Sequence, residues 1–332
     1  MAGHIIIAAE SMKSPTSDQT RIYGYCMILV LIWASAFTLV GISVEHISPI
    51  WLVTYRLVIG SIVLAIYIKL IKKKFPPLTD IRWIWYTALG FLAMLLPLWL
   101  VARGQLTVDS GLAAIMVGAM PLITIILAHF FAEERLTWAK SIGFGIGFLG
   151  IIILFLPDDF SLSLIADWKA QLMILGAASC YAVVTVAAKR APPTPPIIGG
   201  AMMLVGVAPF AIIAALISGL PAIAPPPVAI GAVIALALFS TALSNILFLH
   251  VVDLAGPSLM AKANYFVAPV SVFFGIRFLD ETFNWRMVIA FAIILTGMII
   301  ARQSDKSMGE KNMGEKRMGE KRMGKKIAQK NI

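Results

Sequence analysis

Two cations, Arg56 and Lys262, stand about two turns inside long apolar runs, with no acid beside them in the sequence. A charge near the centre of a membrane helix costs about 2.5–3.5 kcal/mol on insertion scales, so such residues normally have a partner or a task. The task that suits a cation in low dielectric is anion recognition, because attraction to a carboxylate or phosphate is strengthened there and an amine is repelled. Asn245, Asn264 and Tyr265 offer hydrogen bonds nearby in the chain, and Trp33 and Trp99 offer flat faces. The candidate substrate-binding set is therefore Lys262, Asn264, Tyr265, Trp99, Trp33, Arg56 and Asn245. Each also has a structural reading. Arg56 can snorkel or bind backbone carbonyls. The amides and the phenol can bond across helices, and the tryptophans can pack or anchor at the interface.

Other chemistry lacks its parts. Asp109, Glu133, Glu134, Asp253, Asp280 and Glu281 all fall near the ends of apolar runs, and none at a centre. A proton-coupled exporter of cations needs a membrane carboxylate that alternates between proton and substrate. Cys26 and Cys180 are isolated, and four scattered histidines have no zinc spacing, so neither a metal site nor a cofactor is expected. No nucleophile–base pair suggests an enzyme.

The elements that must position these residues are membrane helices. Of 332 residues, 60% are hydrophobic and 13% charged, and mean hydropathy is +0.90. A soluble domain could not cover its surface with so little charge. The formal charge of +10 lies in tails and short loops, which argues against nucleic acid as a partner. Ten runs approach the ~20 apolar residues that a span requires. They lie near Ile22–Val44, Ile50–Leu70, Trp83–Ala102, Ser110–Phe131, Trp138–Leu156, Ala170–Ala188, Ile197–Ser218, Val228–Val251, Gly256–Phe278 and Trp285–Arg302. The first 21 residues lack the core of a cleavable signal, so the first run is expected to direct insertion. Inner-loop lysines and arginines, Lys72, Lys73 and Lys74 among them, outnumber outer ones when both termini are cytoplasmic. After residue 302 an MGEKR-like pentapeptide repeats, the composition of a disordered basic tail.

The chain also repeats itself. Glu133-Glu134-Arg135-Leu136-Thr137-Trp138 matches Asp280-Glu281-Thr282-Phe283-Asn284-Trp285, and Gly150 matches Gly297, all 147 positions on. Upstream the offset is 148, pairing Trp33-Ala34 with Tyr181-Ala182, Ser110 with Ser258, Ala113 with Ala261 and Pro121 with Pro269. Lys262 pairs with Ala114, so symmetry does not demand it. A repeat of five helices is odd, so the second copy must enter the membrane from the other side. The fold expected is an all-α polytopic membrane protein with ten transmembrane helices as two inverted five-helix repeats. Residues 1–21 form an N-terminal tail, 22–156 and 170–302 the two halves, and 303–332 the basic tail. In the fifth helix Gly143 and Gly147 form a small-xxx-small surface for close helix packing, with Ala290 and Ala292 at the places equivalent to Gly143 and Gly145.

Trp33-Ala34-Ser35, Tyr55-Arg56, Gly111-Leu112-Ala113-Ala114, Pro121 and Glu133-Glu134-Arg135-Leu136, with their second-half counterparts, resemble the EamA-type family of the drug/metabolite transporter superfamily over roughly residues 22–302. The resemblance implies two inverted halves around a central cavity and export of amino acids or other small metabolites. Two positions depart from the family pattern: Tyr181 stands for a tryptophan, and Glu281-Thr282-Phe283 for Glu-Arg-Leu. The expected function is secondary active transport of carboxylate-bearing metabolites in the cell inner membrane. A lipid-linked-substrate flippase and a drug exporter are the alternatives. The partners expected are a small-molecule substrate and membrane lipids, with the chain a monomer or homodimer.

Overall fold

The computed structural model describes residues 17–131, 138–155, 168–221, 224–256, 259–260 and 263–300. Lys262, Glu134, Ser258, Ala261 and the tail repeat lie outside the described residues. Among the described residues the regular structure is helical, with no strand. The helices are α1 (Ser17–Val44), α2 (Pro49–Leu70), α3 (Arg82–Gly104), α4 (Ser110–Gly118 continued by Met120–Phe131), α5 (Trp138–Phe155), α6 (Trp168–Ala187), α7 (Pro196–Ile217), α8 (Pro227–Ala255), α9 (Asn264–Phe278) and α10 (Trp285–Ile300). Seven of them, α1 to α4 and α6 to α8, are long and apolar enough to cross a membrane, while α5, α9 and α10 carry shorter apolar stretches.

Local chemistry starts and stops these helices. Pro49, Pro196 and Pro227 open α2, α7 and α8, where a missing N–H costs nothing and φ is already helical. Gly256, at φ +77°, ends α8 in a conformation that side chains disfavour. Some boundaries differ from the sequence expectation. Helix α1 begins at Ser17 rather than Ile22, because polar residues can extend a helix beyond an apolar run. The α9 run begins its described continuous part with a 3₁₀ turn, Asn264–Phe266, before regular helix from Val267.

The helices are apolar on every side, with one stripe facing protein. On α2, Val53, Leu57, Gly60, Leu64 and Ile68 are buried at helical spacing, while Ile62 and Ile66 on the other side are each 54% exposed. Large apolar side chains left this open are stable against lipid, not water.

The buried stripes join the two halves of the chain. Helix α2 packs along α7, α4 along α9, and α5 meets α10. The remaining major contacts come in pairs under a shift of five helices: α3 on α6 with α8 on α1, α3 on α7 with α8 on α2, and α4 on α6 with α9 on α1. One core cluster is built by α2, α3, α7 and α8 together. At the α5–α10 seam Gly150 lies against Ala290 and Ile294, and Gly297 lies against Gly143 and Gly147. Subtracting 147 from 297, 290 and 294 gives 150, 143 and 147, so the two sets of contacts exchange under the repeat offset. The glycine surface is a packing surface, as expected.

Candidate functional site

Helices α3 and α8 are not regular throughout. Each widens to π geometry in its middle, over Phe91–Leu95 in α3 and Leu236–Leu243 in α8. The two π segments end at Leu95 and Leu243, 148 positions apart, which is the upstream repeat offset. A π segment holds an extra residue and shifts hydrogen bonds from i−4 to i−5, and such segments concentrate at functional sites. Two sequence candidates lie just beyond them, Trp99 in α3 and Asn245 in α8.

Arg56 is buried, 8% exposed, and points from α2 to the π segment of α8. Its Nε donates to Thr241 Oγ1 at 2.7 Å. The Thr241 hydroxyl in turn donates to the Leu236 carbonyl, five residues earlier, at 3.1 Å. The hydroxyl proton is thus spent inside the π segment, and the oxygen lone pair is left for the guanidinium. Gly60, one turn beyond Arg56 on α2, lets α2 lie against the Thr241 methyl. Tyr181 on α6, the repeat counterpart of Trp33, lies within electrostatic range of Arg56. Among the described residues the Nη groups of Arg56 form no hydrogen bond, so the bidentate end of the fork is uncommitted.

Asn245 follows Thr241 by four residues and sits in a notch on α7. A Cβ on Gly200 would come within 2.6 Å of Asn245 Oδ1, so the notch exists because Gly200 has no side chain. Asn245 Oδ1 is buried and, among the described residues, lacks a hydrogen-bond partner. Thr241, which holds the Arg56 guanidinium, thus precedes Asn245 by one turn of α8, about 5–6 Å along the axis.

The other candidates are spread over the neighbouring walls. Trp33 on α1 faces Phe248 on α8, ring centroids 5.9 Å apart. Trp99 is half-buried and packs on the same core as Tyr55. Asn264 and Tyr265 are half-buried in the 3₁₀ turn that opens α9, and Tyr265 packs against the core shared by α4 and α10. Arg56 thus meets α8 one turn before Asn245, whereas Trp33, Trp99 and Tyr265 pack on three different core clusters.

Three structural roles escaped the sequence. Thr241 looked like an ordinary helix residue. Gln105, buried at the end of α3, donates through Nε2 to the Phe37 carbonyl of α1 at 3.1 Å. Glu281 reaches back from the α9–α10 turn to the start of α4, where its carboxylate accepts the N–H groups of Ser110 at 2.6 Å and Gly111 at 3.1 Å. These first-turn donors have no partner within their own helix, and the helix dipole favours a negative charge there. Asp280, at φ +54°, turns the chain so that Glu281 can reach them, and the Glu281 N–H returns to the Gly275 carbonyl at 3.3 Å. A left-handed residue at a helix end is the usual way to stop a helix and reverse direction. The Glu133-Glu134 and Asp280-Glu281 repeat was the available signal, but its reach to another helix is not encoded in spacing.

The EamA-like transporter family model matches the chain twice, over residues 20–156 and 168–303. The chain is 28% identical to the uncharacterized inner membrane transporter YedA of Escherichia coli (strain K12), over 82% of this chain and 90% of that protein. It is 32% identical to the uncharacterized transporter YdfC of Bacillus subtilis (strain 168), over 41% of this chain and 44% of that one. A protein of Streptantibioticus cattleyicolor named "Probable terminal-alkyne amino-acid exporter" is 27% identical over 39% of this chain and 42% of its own length. A crystal structure 18% identical in sequence superposes with a TM-score of 0.57, covering 85% of this chain and 97% of that one, and so shares the fold. The chain is a multi-pass membrane protein and belongs to the EamA-like transporter family.

Proposed function

We propose that the chain is a secondary transporter, acting as an exporter, of a small carboxylate-bearing metabolite such as an amino acid. The observation that carries this reading is the buried Arg56 guanidinium, held on α8 by Thr241 one turn before Asn245, with its Nη groups and Asn245 Oδ1 both without a partner among the described residues. An α-amino acid presents a carboxylate and an ammonium a few ångströms apart. The carboxylate suits the fork and the ammonium suits a buried acceptor, whereas a cation alone meets repulsion at Arg56. Lys262, Asn264, Tyr265, Trp33 and Trp99 would then line the path around this pair.

The mechanism proposed is alternating access between inverted halves, residues 22–156 and 170–302, within ten spans in the cell inner membrane and with both termini cytoplasmic. Support comes from the exchange of the α5 and α10 contacts under the 147-residue offset, from the paired packing five helices apart, and from the matching ends of the two π segments. The relative named as an amino-acid exporter agrees with the substrate class.

Purified protein in proteoliposomes, tested for counterflow of labelled amino acids, other carboxylates and a polyamine, checks the reading. Carboxylate-bearing compounds should exchange, Arg56→Lys should lose most of that exchange, and Lys262→Met should weaken it. Equal movement of the polyamine by the wild type would refute the electrostatic argument.

A further inference from the structure

Away from the Arg56 region, the C-terminal end of α2 carries an open groove of about 510 Å³. Lys69, Lys72, Lys73 and Lys74 line it over a floor that includes Ile68 and Phe75. The chain makes the groove by turning back on itself. Lys72 takes φ +56°, and the Lys73 N–H bonds to the Ile68 carbonyl at 3.1 Å. A lysine in the left-handed region is uncommon, since glycine or asparagine normally fills it. Phe75 is held against Trp83, ring centroids 5.8 Å apart, and Trp83 Nε1 donates to the Pro76 carbonyl at 3.2 Å. The groove therefore has an ordered wall.

Four lysines line this groove, and among the described residues none of them forms an ion pair. Asp80 is the only acid between Lys69 and Arg82. It is already gripped by Arg82, whose Nε lies 3.0 Å from both its oxygens and whose Nη2 lies 2.6 Å from Oδ2. The dipole of α2 and the rule that favours basic cytoplasmic loops both explain lysines at this level. Neither requires four lysines to line one groove, where like charges repel.

From this we infer that the groove binds a phosphate group, and that the amines of Lys69, Lys72, Lys73 and Lys74 are its ligands. The phosphate can belong to an anionic phospholipid headgroup or to a small soluble molecule. Phe75 and the exposed apolar end of α2 around Leu70 would also accept the glycerol and upper acyl carbons of a lipid.

The test uses the full chain, stripped of lipid in neutral detergent, with bound lipid counted by native mass spectrometry and thermal unfolding recorded alongside. The probes are phosphatidylglycerol, phosphatidylcholine and inorganic phosphate. The variants are Lys72→Gln/Lys73→Gln/Lys74→Gln, the corresponding triple arginine variant, and a deletion of Met308–Ile332 that removes the other basic cluster. Three lost charges near a bilayer correspond to a fall in phosphatidylglycerol affinity on the order of 100-fold. The arginine variant and the tail deletion should bind like the wild type, so a fold defect in the glutamine variant would be separable from lost charge. Stabilisation by phosphatidylglycerol alone assigns the site to a lipid headgroup, and equal stabilisation by inorganic phosphate assigns it to a soluble ligand. Equal binding by the wild type and the glutamine variant, or of phosphatidylcholine and phosphatidylglycerol, would overturn the inference.

Discussion

Arg56 on α2 is joined to Thr241 on α8 through a hydroxyl that is itself turned back to the Leu236 carbonyl by π geometry. The guanidinium is thereby held by one edge, and among the described residues its other edge has no hydrogen-bond partner. Thr241→Val keeps the shape but removes the acceptor, leaving a buried charged donor unmatched. It should cost about 2–3 kcal/mol in unfolding free energy and reduce carboxylate exchange. Thr241→Ser should behave nearly as the wild type in both measurements.

The Glu281 carboxylate fastens α9 and its following turn to the start of α4. Glu281→Gln keeps an acceptor but loses the charge, and should cost about 1 kcal/mol, whereas Glu281→Ala should cost about 3 kcal/mol. Hydrogen exchange gives the specific readout. The amides of Ser110 and Gly111 should lose protection in the alanine variant, while those in the middle of α2 keep theirs.

Gly200 and Asn245 share one notch, so their substitutions should not add. Gly200→Ala places a methyl against Asn245 Oδ1 and should destabilise by about 1–3 kcal/mol. Combining it with Asn245→Ala should restore much of that loss, giving a clear interaction energy in a double-mutant cycle. Substrate exchange should stay low in the double variant, since the acceptor is gone. Recovery of both stability and exchange would remove Asn245 from the binding pair.

Asp80 provides a pH signature. Its hydrogen bonds with Arg82 lower its pKa from 3.8 to about 2. A carboxyl whose folded value is depressed contributes stability that is fully present above its unfolded value and lost as pH falls through the folded one. The melting temperature of the wild type should therefore exceed that of Asp80→Asn by a constant margin from about pH 8 to pH 5. The margin should shrink below about pH 4 and vanish only below about pH 2. A margin that grows on acidification would contradict the pairing.

Much of this architecture is readable in the chain because lipid imposes simple demands. Apolar runs mark the helices, Pro49, Pro196 and Pro227 mark starts, and the cost of burying a cation singles out Arg56. The Gly143, Gly147 and Gly150 surface was legible for the same reason, since only small residues let helices approach so closely. The π segments were not legible. One extra residue per turn changes hydrogen-bond register without changing composition, so Leu236–Leu243 reads as ordinary apolar helix. Thr241 and Glu281 escaped because their partners, Arg56 and Ser110, lie 185 and 171 residues away. Their roles arise from packing between halves, which no local pattern records. Helix α8 ran on past the expected Val251 to Ala255 because Gly256, rather than the last apolar residue, terminates it.

The glycine seam between α5 and α10 also carries a consequence for how the protein is made. Gly150 packs against Ala290, a residue synthesised 140 positions later. At ~5–20 residues per second the ribosome needs roughly 7–30 s to cover that distance. Throughout that time Gly150 lacks its α10 neighbours, although Gly147 already has Leu122 of α4. The partners of α2 and α4, on α7 and α9, are also still to come. The first half thus waits in the bilayer unfinished, and the last helix completes it. A chain stopped before Trp285 would leave the Gly150 side of α5 open to membrane proteases, so nascent-chain survival should depend on α10 more than its position at the end of the bundle suggests.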